Sequence, residues 1–272
     1  MAATRLREFA PRKERAHQEK APFTDMTSAT GIPFRFVSNA KDIRESVGAG
    51  LALSDFDGDG WLDLLFVGQE GATPTGAGMR LRNRGGWRFE DLTPGSGLDI
   101  PGRWFGCGVC DVNNDGRPDV VLTGFGEVRL LANEGGLRFR DATSGSGLEV
   151  KSPNEWPTAA AFGDADRDGN VDLVIGRYVT YEANKTSERW WSPANYNAQF
   201  PSFYRSLGGF RFRDATREVG LDAAAGKCLG AAFGDINADG YLDLYLANDE
   251  MPCDLFINNR GRRFTNRALS SG

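Results

Sequence analysis

The chain has 272 residues, 35 of them glycine, a single histidine (His17), and 32 basic against 37 acidic side chains for a net charge of −5. One histidine excludes His-based catalytic triads, multi-His zinc sites and haem c attachment. A glycine share nearly twice the usual ~7% points to a turn-rich chain of short strands, and no apolar run reaches the roughly 18 residues that a transmembrane helix needs.

Residues 1–21 are charged (Arg5, Arg7, Glu8, Arg12, Lys13, Glu14, Arg15, Glu19, Lys20) and lack the apolar stretch of a signal peptide. They read as a disordered tail. Residues 23–32, FTDMTSATGI, repeat a phrase that closes each later unit, which predicts an orphan outer strand over 23–27.

From residue 48 onward one block recurs four times. Its cores are SDFDGDGWLDLLFVG (54–68), CDVNNDGRPDVVLTG (110–124), GDADRDGNVDLVIGR (163–177) and GDINADGYLDLYLAN (234–248). Small and apolar residues precede each core and an alternating apolar run follows it. A second phrase closes each unit: RNRGGWRFEDLT (82–93), ANEGGLRFRDAT (132–143), RSLGGFRFRDAT (205–216) and NNRGRRFTNRAL (258–269). Glycine turns inside alternating segments read as hairpins. One unit is therefore strand, acidic loop, strand, connection, strand, glycine turn, strand.

Four short antiparallel strands per repeat of about 50 residues predict an all-β fold, a β-propeller. Its blades run over about 48–95, 104–145, 157–218 and 228–269 within repeats spanning 22–272. The third unit is longer because 178–201, rich in Tyr, Trp and Asn, sits between its second and third strands and is expected to cover an inter-blade surface. The fourth unit has its own outer strand around Arg263 to Ala268, so the orphan has no blade to complete. The expectation is an open arc, or a chain that continued beyond Gly272.

Each core carries D-x-[DN]-x-D-G-x-x-D, with oxygen side chains at positions 1, 3, 5 and 9. These are Asp55, Asp57, Asp59 and Asp63; Asp111, Asn113, Asp115 and Asp119; Asp164, Asp166, Asp168 and Asp172; and Asp235, Asn237, Asp239 and Asp243. Position 7 (Trp61, Arg117, Asn170, Tyr241) offers a main-chain carbonyl, and glycine at position 6 permits the sharp turn. Hard cations such as Ca²⁺ take six to eight oxygens, whereas Mg²⁺ prefers few carboxylates and several waters. An EF-hand would need Glu at position 12, where Phe66, Leu122, Ile175 and Leu246 stand. Without a cation, carboxylates this close would repel and raise one another's pKa. About four Ca²⁺ per chain are expected. A paired-carboxylate glycosidase would need two acids in unlike environments, and these loops look alike.

These residues resemble the FG-GAP or VCBS repeats of the integrin α-chain propeller. The phrases GAGLALSDFDGDGWLDLLFVG, GAAFGDINADGYLDLYLANDEMPCDLFINNRGRRF and FRDATREVGL are similar to the ASPIC/UnbV propeller family, over roughly residues 22–270. The resemblance implies calcium in the four loops, an extracellular or periplasmic setting and further C-terminal blades with an ASPIC/UnbV domain, which this chain does not contain. It also implies a scaffold for a protein or glycan ligand. The competing class is a propeller-based enzyme or an accessory protein of a biosynthetic pathway.

Two other features bear on function. Cys107 and Cys110 lie three apart on a strand, facing opposite ways as buried small residues, while Cys228 and Cys253 share a blade and can bridge if oxidised. Arginines stud the outer strands (Arg88, Arg138, Arg140, Arg211, Arg213, Arg262, Arg263), where blunting of edges and balancing of the acidic loops is favoured over nucleic-acid binding.

Overall fold

The computed structural model describes residues 24–32, 43–45, 48–68, 78–148, 150–182 and 192–268. Sixteen strands build four antiparallel sheets among the described residues, each a meander in chain order. The first blade holds β1 (Gly50–Ser54), β2 (Asp63–Val67), β3 (Gly78–Asn83) and β4 (Phe89–Asp91), and the second β5 (Trp104–Cys110), β6 (Asp119–Gly124), β7 (Glu127–Asn133) and β8 (Phe139–Asp141). The third holds β9 (Pro157–Gly163), β10 (Asp172–Arg177), β11 (Ser202–Ser206) and β12 (Phe212–Asp214), and the fourth β13 (Cys228–Gly234), β14 (Asp243–Asn248), β15 (Asp254–Asn258) and β16 (Phe264–Asn266). The all-β, propeller-like architecture expected from the repeats is present.

Register places each acidic loop. The last residue of every innermost strand pairs with the ninth residue of the motif, as Ser54 with Asp63 and Cys110 with Asp119. Gly163 with Asp172 and Gly234 with Asp243 complete the set. The loop is thus the tip joining the first two strands of its blade.

Blades pack through three hydrophobic clusters, one per interface. The second residue of each of the first three loops reaches into the following blade. Phe56 meets Phe139 edge-on at 5.8 Å, Val112 joins Tyr204 and Phe212, and Ala165 joins Phe256 and Phe264. Burying each large side chain contributes about 1.5–3 kcal/mol. Ile236, the same position in the fourth blade, is 57% exposed. At the other end Leu51 and Leu53 are 53% and 58% exposed, although their counterparts Cys107 and Val109 pack against the first blade. Innermost strands pack side by side from blade to blade, but β13 and β1 do not meet in this way. The arc is open.

Two devices staple the connection between blades. Ser96 and Ser146 carbonyls accept from Phe139 and Phe212 N–H at 2.7 Å, and Leu98 and Leu148 bury fully behind them. Gly97, at φ +81°, runs so close that a Cβ would stand 2.0 Å from the Phe139 carbonyl oxygen.

The expected orphan strand is not formed. Residues 24–26 carry no strand, α1 is a single helical turn (Thr27–Thr30), and Gly31 closes it at φ +64°. The repeated phrase encodes the turn after the outer strand as well as the strand. Asp25 Oδ1 accepts Thr27 N–H at 2.9 Å, as Asp91, Asp141 and Asp214 do for Thr93, Thr143 and Thr216. Local hydrogen bonding suffices for that turn, whereas a three-residue strand needs a paired neighbour. Phe23 and the 1–21 tail lie outside the described residues.

Within the 178–201 insertion, Tyr178, Tyr181 and Tyr196 bury against Phe105 and Trp156, with Tyr181 and Tyr196 stacked at 6.3 Å. The Arg44 guanidinium lies 4.2 Å from the Tyr181 ring centroid and 5.2 Å from that of Phe125. Trp190 and Trp191 lie outside the described residues. Cys107 and Cys110 enter different inter-blade clusters, confirming opposite faces. All four cysteines are free, so Cys228 and Cys253 form no bridge. Cys228 is turned instead against Gly176 of the third blade, and its Sγ donates to the Gly230 carbonyl at 3.2 Å.

Candidate metal centres

The four loops share one backbone conformation, set by their own carboxylates. Position 1 accepts twice: its Oδ1 takes the N–H of position 5 at 3.0–3.1 Å, and its Oδ2 takes the N–H of the position-6 glycine at 2.7–2.9 Å. Oδ1 of position 5 accepts from the N–H of position 7, at 2.8–3.0 Å, in all four. The position-6 glycines stand at φ +86° to +89°. Position 4 is also left-handed, at Gly58, Asn114, Arg167 and Ala238. Three of these carry a side chain, and such a conformation costs of order 1 kcal/mol or more.

Position 9 does different work. Asp63, Asp119, Asp172 and Asp243 are at most 1% exposed. One oxygen of each accepts the N–H of loop position 2 and the other the N–H at the end of the third strand, as Asp119 does from Val112 at 2.9 Å and Asn133 at 2.8 Å. The group anchors the loop to its own blade. Burial pushes the Asp119 and Asp172 carboxyls up to about 6 and raises Asp63 as well. Asp59, at the mouth of the first loop, is held below its usual range by the Trp61 N–H and the Arg82 side chain.

Carboxylate oxygens of Asp55, Asp57 and Asp63 converge within 4.8 Å of one another, as do those of Asp164, Asp166 and Asp168. In the second and fourth loops Asn113 and Asn237 donate to the position-5 carboxylates Asp115 and Asp239 at 2.8 and 3.2 Å. The Asp166 carboxylate turns its Oδ1 inward and its Oδ2 to Arg205 Nη1 at 2.8 Å. An oxygen-only donor set on a turn of this shape, with carboxylate oxygens converging within 4.8 Å, fits a hard divalent cation.

Several contributors were not singled out from sequence. Asn83, Asn133 and Asn258 close the third strands. Asn133 Nδ2 donates to the Phe56 carbonyl of the preceding blade's loop at 3.0 Å and to Pro118 at 3.1 Å; Asn258 does the same to Ala165 at 2.8 Å and Leu242 at 3.0 Å. The expectation that outer-strand arginines balance the loops is corrected: Arg140 and Arg213 pair with Glu134 and Glu218 at 2.7 and 2.6 Å. The loops are met instead by Arg82 and Arg205 of the third strands and by Arg117 at position 7.

Elsewhere, a cleft of about 740 Å³ is lined by Lys151, Glu155, Arg177, Phe200, Asp214 and Glu218 among others. Arg177 is 8% exposed and its Nη2 lies 3.1 Å from Glu155, with Phe200 half exposed at the rim. Among the described residues no helix is long and apolar enough to cross a membrane.

The family model described as FG-GAP-like repeat matches residues 55–122 and 111–175. Residues 55–175 are therefore similar to FG-GAP-like repeats. No curated protein matches it. Among solved structures, an Agrocybe aegerita lectin described as recognising non-reducing terminal N-acetylglucosamine is similar at 17% identity, with a TM-score of 0.44 over 80% of this chain and 50% of the lectin. The Tc holotoxin pore of Photorhabdus luminescens is similar at 20% identity, with a TM-score of 0.35 over 80% of this chain and 9% of the toxin chain. The chain thus spans half or less of the length of these structures.

Proposed function

We propose that the chain is a calcium-stabilised interaction scaffold of the ASPIC/UnbV kind, acting outside the cytoplasm. The observation that carries this reading is the convergence of carboxylate oxygens of Asp55, Asp57 and Asp63, and of Asp164, Asp166 and Asp168, within 4.8 Å of one another, on a loop whose hydrogen-bond pattern recurs four times. Asp and Asn side chains at positions 1, 3, 5 and 9, with the carbonyls of Trp61, Arg117, Asn170 and Tyr241, would hold the ion. Calcium supplies charge neutralisation: 14 of the 37 acids stand in these loops, and the remaining 23 acids face 32 bases. The bound ion adds its binding free energy to stability by linkage. Extracellular calcium modules work at dissociation constants of roughly 10⁻⁴–10⁻³ M, which suits exposed loops.

The cleft beside the third blade is the reading's ligand surface. Its half-exposed Phe200 and mixed-charge lining suit a polar ligand such as a glycan or a protein loop. The test is metal content and melting. Native mass spectrometry in millimolar calcium is expected to find about four Ca²⁺ per chain, and EDTA to lower the melting temperature. A chain without bound calcium, melting identically with and without EDTA, refutes the proposal.

A further inference from the structure

The four loops differ in one paired way. Position 3 is an aspartate in the first and third loops (Asp57, Asp166) and an asparagine in the second and fourth (Asn113, Asn237). The residue just before the end of the third strand follows the same division: Arg82 and Arg205 in the first and third blades, Ala132 and Ile257 in the second and fourth. Each extra acid thus comes with an extra base, and the structure brings them together. Arg82 Nε lies 2.7 Å from Asp57 Oδ2, and its Nη2 lies 3.0 Å from Asp59 Oδ2. Arg205 Nη1 lies 2.8 Å from Asp166 Oδ2 and 2.9 Å from Asp172 Oδ2.

Resting on the metal reading above, we propose that Arg82 and Arg205 are tethered counter-cations: they hold the first and third loops closed without a metal and lower those loops' calcium affinity. The two side chains are 22% and 10% exposed, so water screens them less than a surface pair. Arg205 also donates to the Gly261 carbonyl, tying its loop to the next blade. Arg117 touches Asp115 of the second loop from position 7, on a side chain 45% exposed, and does not reach position 3. Among the described residues no lysine or arginine forms an ion pair with the fourth loop; Arg167 lies over the Tyr241 ring instead, at 5.4 Å. A fixed positive charge beside the site repels an incoming divalent ion and already supplies part of what that ion would do. The fourth loop, with neither the extra acid nor a paired base, is the most dependent on calcium.

The experiment is a double-mutant cycle in the full chain between Arg82→Ala and Asp57→Asn, which together remove from the first loop the extra acid and the paired base that the fourth loop also lacks. In metal-free buffer Arg82→Ala is expected to lower the melting temperature by roughly 3–5 °C. Adding Asp57→Asn is expected to restore most of that loss, and Arg82→Lys to keep the wild-type value. Calorimetric titration of Arg82→Ala with calcium should show one site tightened about tenfold, the effect of removing one nearby charge. Additive effects of the two substitutions in metal-free buffer, or unchanged calcium affinities in Arg82→Ala, overturn the proposal. If no variant binds calcium, the metal reading and the affinity half of the proposal fall together, and the metal-free cycle still decides whether the arginine is the acid's counter-charge.

Discussion

Replacing Asn133 by alanine tests whether one side chain latches a blade to the loop of its neighbour. The amide is 2% exposed, donates to the Phe56 and Pro118 carbonyls at 3.0 and 3.1 Å, and accepts the Gly135 N–H at 3.0 Å. Losing three hydrogen bonds at about 0.5–1.5 kcal/mol each, with carbonyls left unsatisfied, gives about 2–4 kcal/mol. For a domain of this size that is a fall of roughly 5–10 °C in melting temperature. Asn83→Ala is the internal control. It holds the same place in the first blade, yet among the described residues its half-buried amide donates only to Leu62 of its own loop, in an exposed bond of 3.0 Å, and accepts the Gly85 N–H at 2.9 Å. Its expected loss is about 1 kcal/mol. Differential scanning calorimetry of both variants in saturating calcium reads the difference. Equal shifts would refute the latch, because the bond to Phe56 is the feature that distinguishes the two sites.

Two further outcomes follow from the same geometry. Gly97→Ala places a methyl group 2.0 Å from the Phe139 carbonyl at a left-handed φ of +81°, so thermal melting should show a loss of several degrees, and a melt within a degree of wild type would contradict the stapled connection. In metal-free buffer the Asp119 and Asp172 carboxyls, raised by burial to about 6, hold protons that the unfolded chain has released; stability is therefore expected to fall as pH rises from about 4 to 6, and calcium, by keeping the carboxylates ionised, to abolish that fall. A melting curve series rising across this window without metal would be the wrong sign.

The four sheets and their acidic tips were legible because the D-x-[DN]-x-D-G-x-x-D spacing and the two-residue alternation are both local. Strand pairing such as Cys110 with Asp119 follows directly from a tight loop between them. The orphan strand failed for the complementary reason. FTDMT specifies an Asp25–Thr27 turn by itself, but pairing depends on a partner that local sequence does not name. The loop arginines were misplaced because charge balance was sought in the most basic stretches, the outer strands. Register instead carries Arg82 from the third strand to Asp57, 25 positions away in sequence, a link visible only once the hairpin is built. Asn133 was hidden likewise: its partner lies 77 residues upstream, in another blade.

The meander order of every sheet has a kinetic side. Each strand pairs with its chain neighbour, so a blade can assemble without waiting for distant segments, and low contact order favours fast folding. Cooperativity must then pass from sheet to sheet through three seams, as in a linear array of repeats. Among the described residues the middle two blades pack against a neighbouring sheet on both sides and the first and fourth on one. Within such an array the acidic tips stand at the seams, through Phe56, Val112 and Ala165, so that any cation held there as proposed would alter the coupling between neighbouring units as much as the stability of each.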